Sequence, residues 1–135
     1  MIWRDILLDR NISKSELTKA FSTIFDIDTN QVSFIENIID FEDNYLLTCI
    51  INRLPGNFCL SLDCYLNFEI KNEYDTISRL CKILDCQALI TNDEGEDVYN
   101  AYAFILFEPS GLVRKIIVDH DLYDEYGELK IVSNS

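Results

Sequence analysis

At 135 residues, the chain is the right length for a single domain that buries a core without disulfides or metal. Hydrophobic residues make up 48% and charged ones 26%, which excludes a disordered chain, and the apolar runs fall well short of the roughly 20 residues a membrane helix needs. A formal net charge of −13 repels phosphate backbones and anionic lipids, so nucleic acid and membrane are not expected partners and a cationic protein is.

Met1-Ile2-Trp3-Arg4-Asp5 lacks the basic start and apolar stretch of a secretory leader, which gives a cytoplasmic location as the expectation. Ile2–Leu8 reads as a first strand. Ser13-Lys14-Ser15-Glu16 is a capping box, in which the Ser13 hydroxyl accepts from the Glu16 amide and the Glu16 carboxylate returns to the Ser13 amide. Leu17, Ala20, Phe21, Ile24 and Phe25 then recur with helical spacing, so the sequence predicts an amphipathic helix over Ser13–Phe25. Oxygen-bearing residues at Asp26, Asp28 and Asn30 open like a calcium loop. Gln31 stands where that loop needs Gly, and Asn37 where it needs a bidentate Glu, so no metal is expected there.

Val32–Ile39 is predicted as a strand, followed by an acidic corner at Asp40-Phe41-Glu42-Asp43-Asn44. Tyr45–Asn52 is largely apolar on both faces and belongs inside a sheet. Arg53-Leu54-Pro55-Gly56-Asn57 supplies a turn. Phe58–Phe68 resumes with Phe58, Leu60, Leu62, Cys64 and Leu66 on one face and Ser61, Asp63 and Asn67 on the other, wet one. Asn72 caps a second helix whose stripe is Ile77, Leu80, Cys81 and Leu84. Gln87–Thr91 is a short strand. Ala101–Phe107 and Leu112–Val118 form a hairpin about Glu108-Pro109-Ser110-Gly111, with Ala101–Phe107 central in the sheet. A last strand is predicted near Leu129–Val132, and the final three residues are expected to fray.

The resulting order, β-α-β-β-β-α-β-β-β with room for one more strand, predicts an α+β two-layer sandwich spanning residues 1–135 as a single globular domain. It has a mainly antiparallel sheet of six to eight strands and two helices on one face.

Catalytic and cofactor chemistry finds little support. Cys49, Cys59, Cys64, Cys81 and Cys86 include no Cys-x-x-Cys pair and fall mostly inside apolar patterns, so they are expected as core thiols. His120 is the only imidazole and cannot complete a usual zinc set. No Gly-rich phosphate loop or nucleophile elbow occurs. The expectation is therefore neither an enzyme nor a cofactor-binding protein.

What stands out is where the acids lie. Glu36–Asp43, Asp93–Asp97 and Asp119–Glu128 hold thirteen of the twenty-four acidic residues, accompanied by Tyr45, Tyr99, Tyr102, Tyr123 and Tyr126. Clustered carboxylates steer a basic partner, and tyrosines supply interface anchors. The expected partner-binding residues are Asp93, Glu94, Glu96, Asp97 and Tyr99, with Asp119, His120, Asp121, Tyr123, Asp124, Glu125 and Tyr126. By analogy of size and charge, the reading is an immunity-type inhibitor that occludes a cationic bacterial toxin domain, a nuclease. The alternatives are an acidic secretion chaperone that binds an effector, and a small hydrolase using His120 with Asp119 or Asp121.

Overall fold

The computed structural model describes residues 2–92, 103–118 and 131–134. The elements run β1 (Ile2–Leu8), α1 (Lys14–Phe25), β2 (Val32–Ile35), β3 (Leu47–Arg53), β4 (Leu60–Leu66), α2 (Glu73–Leu84), β5 (Ala88–Thr91), β6 (Ala103–Phe107), β7 (Val113–Val118) and β8 (Ile131–Asn134). All eight strands share one sheet, ordered β2-β3-β4-β1-β5-β6-β7-β8. Both helices lie on one face, so the fold is the expected α+β sandwich. No helix among the described residues is long and apolar enough to cross a membrane.

Each helix begins and ends on local chemistry. The Ser13 hydroxyl accepts from the Glu16 amide at 3.2 Å, and Asn72 Oδ1 accepts from the Asp75 amide at 3.1 Å. The Glu16 carboxylate does not show the expected return to the Ser13 amide; it pairs with Arg10 at 3.3 Å, because a guanidinium outbids an amide for an exposed carboxylate. Both helices stop at an aspartate in the left-handed region, Asp26 (φ 54°) and Asp85 (φ 51°). The next amide then reaches back to close the last turn, Ile27 to the Ser22 carbonyl and Cys86 to the Cys81 carbonyl, each at 3.1 Å.

The helices bury the stripes the spacing predicts: Leu17, Ala20, Phe21 and Ile24 from α1, and Ile77, Leu80, Cys81 and Leu84 from α2. Beneath them lie Ile6 and Leu8 of β1, Cys49 and Ile51 of β3, Leu60 and Leu62 of β4, and Ile105 and Phe107 of β6. Aromatic edges join the layers, with Phe21 to Phe34 and Tyr74 to Phe107 each at 5.5 Å between ring centroids. An ion pair from Arg4 to Glu73 at 2.6 Å ties β1 to the first turn of α2.

The far face, away from the helices, holds a second apolar cluster of Leu89, Phe104, Leu106, Ile116 and Val118. Burial on both faces explains why β6 is apolar throughout and β3 is apolar but for Thr48 over its first five residues: all of β6 and those five residues of β3 are buried, and both strands are interior. The hairpin turn between β6 and β7 is closed by the Gly111 amide on the Glu108 carbonyl at 2.9 Å, with Gly111 at φ 99°.

Three expectations are corrected. The strand expected over Val32–Ile39 ends at Ile35 and runs parallel to β3, because the chain breaks at Asn37 into a single 3-10 turn and crosses back over the sheet end. Phe58 does not continue the alternation of β4; it precedes the strand and packs with the far-face cluster. Ser133 and Asn134 do not fray, since both pair with β7, opposite Ile117 and Ile116.

Candidate functional site

The acidic corner is the one carboxylate-rich segment that falls within the described residues. Asn37 Oδ1 accepts from the Ile39 amide at 3.1 Å and starts the 3-10 turn, Ile38–Asp40. That turn lifts Ile38 and Ile39 off the sheet, leaving them 57% and 82% exposed, with the acids Glu36, Asp40, Glu42 and Asp43 exposed on either side. Phe41 holds the corner down by setting its ring edge-on against Tyr65 of β4, 5.6 Å between centroids. Single exposed apolar residues are ordinary. Two isoleucines on a convex tip, rimmed by acids, have the form of an interface anchor with a charged border.

From Tyr65 the far face continues to a second feature that the alternation of two strands creates. Outward residues of β4 are Ser61, Asp63 and Tyr65, and those of β1 include Asp5 and Leu7. The register sets Asp5 directly opposite Asp63. Partial burial, and then a hydrogen bond and the charge of Asp5, hold the Asp63 carboxyl above its ordinary range. Like charges opposed across a strand pair destabilise a sheet, so packing gives no reason for the arrangement. Beside the pair opens a cleft of about 300 Å³, with Ser61 and Thr91 as polar neighbours and Leu7, Leu54, Leu89 and Phe104 as apolar wall. An apolar wall ending at two carboxylates suits a long cationic side chain, whose stem lies on the wall and whose head meets the acids.

A larger open cleft, about 680 Å³, lies where β1 and β6 end and β5 begins, and includes Asp9, Arg10, Gln87 and Glu108. Its polar groups satisfy one another. Asp9 Oδ1 accepts from the Gln87 amide at 2.7 Å, the Gln87 side chain donates to Glu108 at 3.3 Å, and Arg10 donates to the Leu84 carbonyl. These bonds finish the C-terminal end of α2 and leave no evident reactive group. Among the described residues, no three His, Cys, Asp or Glu side chains converge as metal ligands do.

Asp93, Glu94, Glu96, Asp97 and Tyr99, together with Asp119, His120, Asp121, Tyr123, Asp124, Glu125 and Tyr126, lie outside the described residues. The strand ends that flank them are described. Thr91 pairs with Phe104, Ala103 with Ile117, and Val118 with Ile131, so the ends of β5 and β7 and the starts of β6 and β8 lie together. The antiparallel pairing of β1 with β4 and with β5 puts the start of β3, where the acidic corner re-enters the sheet, at that same end. β3 and β7 are five strands apart in the sheet order, a span of roughly 24 Å at about 4.8 Å per strand.

Sequence reasoning missed the Asp5–Asp63 pair and the exposure of Ile38 and Ile39. An aspartate within each of two apolar strands was a visible signal, since Asp is depleted in strands. That the two meet depends on a pairing between strands distant along the chain, which no local pattern encodes. No family model matches the chain, and no curated protein or solved structure matches it.

Proposed function

We propose that the chain is a non-catalytic acidic protein-binding domain of the immunity type, an inhibitor that occludes the cationic active region of a bacterial toxin domain with nuclease activity. One observation supports the reading: the strand ends flanking Asp93–Asp97 and Asp119–Glu128 lie at the same end of the sheet as the start of β3, where the chain returns from the acidic corner, although β2, which leads into that corner, points the other way; the span matches the width of a standard protein interface. The exposed Ile38–Ile39 tip supplies an apolar anchor within the first acidic segment, and the Asp5–Asp63 cleft offers a seat for a lysine or arginine. In this mechanism the carboxylates stand where substrate phosphates sit on the toxin's basic residues, and the apolar contacts slow release.

The test is a binding measurement against the basic protein encoded beside this one, at low and at raised salt. The wild-type chain binds with a steep salt dependence. Reversing Asp40, Glu42 and Asp43 to lysine, or separately Asp121, Asp124 and Glu125, lowers affinity by at least about tenfold and flattens that dependence. Unchanged affinity and slope in both sets would remove the proposed surface.

A further inference from the structure

Cys49 of β3 and Cys64 of β4 face each other in register, fully buried under the helices, with their sulfurs 3.2 Å apart. The phase of this ladder is fixed at its ends. The Asn67 amide donates to the Leu46 carbonyl at 3.0 Å and the Leu54 amide to the Cys59 carbonyl at 2.8 Å, so both of those opposed pairs are hydrogen-bonded ones. Pairs alternate along an antiparallel ladder, which makes Cys49 and Cys64 a non-hydrogen-bonded pair. Such pairs approach to about 4.5 Å between Cα atoms, within the range of about 4.4–6.8 Å that a disulfide spans.

We propose that Cys49 and Cys64 are an oxidative modification site, at which a hydroperoxide closes a cross-strand disulfide that staples β3 to β4 without displacing either strand. One sulfur, as thiolate, attacks the peroxide; an S–O bond forms, the O–O bond breaks, and an alcohol or water leaves. The second sulfur then displaces water from the sulfenic acid, forming S–S and breaking S–O. Two electrons pass to the peroxide, and both thiol protons end in the released products.

The folded layer guards the pair. Burial, and then a hydrogen bond and charge from Cys49, hold the Cys64 thiol well above its ordinary range, so Cys64 carries little thiolate while the helices are docked, and both sulfurs are shut away from solvent. Reaction therefore runs through opening of the layer, and it quickens under conditions that raise the open population, such as sub-denaturing urea or refolding with peroxide present.

The experiment uses the full chain with Cys59→Ser, because Cys59 shares a tryptic peptide with Cys64 and is half-buried rather than enclosed. Refolded with hydrogen peroxide and digested, it should yield one linked product, the peptide ending at Arg53 joined to the one beginning at Leu54. Closing a loop of 15 residues shifts the unfolding equilibrium toward the folded chain by about a hundredfold, and dithiothreitol reverses the shift. Free thiols after refolding, a bond through Cys81 or Cys86, sulfinic acid at Cys49 or Cys64, or a linked chain less stable than the reduced one would each overturn the proposal. If Cys59→Ser does not fold, fragmentation of the same linked peptides from the wild-type chain locates the bond.

Discussion

Along β4, Leu60, Leu62, Cys64 and Leu66 turn toward the helices and are buried, whereas Ser61, Asp63 and Tyr65, from the same seven residues, are half-buried on the far face. The helix side is apolar and closed, so any change in volume there is felt throughout the layer. The far side of β4 and β1 tolerates what the helix side excludes, an opposed pair of carboxylates and a polar cleft. One strand thus serves stability with its even-numbered residues and leaves the odd-numbered ones available for recognition.

The contrast is broken most forcefully from the helix side. Leu62→Ala removes a fully buried side chain between sheet and helices and should cost about 3 kcal/mol, read as a lower midpoint in urea denaturation with little change in slope. Asn72→Ala removes the acceptor that closes the first turn of α2 and should cost about 1 kcal/mol in the same measurement.

Asp63→Asn, next to Leu62 but on the other side, should act in the opposite direction. The folded chain holds the Asp63 proton more tightly than the unfolded chain, so its stability is fullest below the unfolded value of about 3.9 and declines as pH rises through the raised folded value. Asparagine removes that decline, and at neutral pH the variant should be more stable by about 0.5 kcal/mol, a gain limited by solvent screening. Melting curves from about pH 3 to about pH 8 separate the two chains by slope. Ile39→Asp should leave stability within about 0.5 kcal/mol, since the side chain is 82% exposed, while lowering affinity for the basic partner by about tenfold. Loss of folding in that variant would mean that the tip is structural.

Much of the architecture was legible because it is local. Helical spacing located both buried stripes, Ser13 and Asn72 marked the caps, and Pro109 with Gly111 marked the hairpin turn. Non-local relations were not legible. That β2 runs parallel to β3 follows from the crossover after Asn37, which a strand-like run through Ile39 concealed. The site divides in the same way: the acidic corner was legible in composition, whereas the Asp5–Asp63 pair arises only when β1 enters between β4 and β5. Even the capping box was only half readable, because Arg10 competes for Glu16.

The placement of β1 has a bearing on how the molecule assembles. β1 is hydrogen-bonded on one side to residues 60–65 and on the other to residues 88 and 89, both later in the chain, so both flanks must form before β1 has its place in the sheet. Without it, the other three strands before α2 and the four after it are separate sheets with raw inner edges. Such wide sequence separation slows folding. A fragment beginning after Leu8 should therefore be recoverable by adding back a peptide of residues 1–8, in the manner of a split reporter.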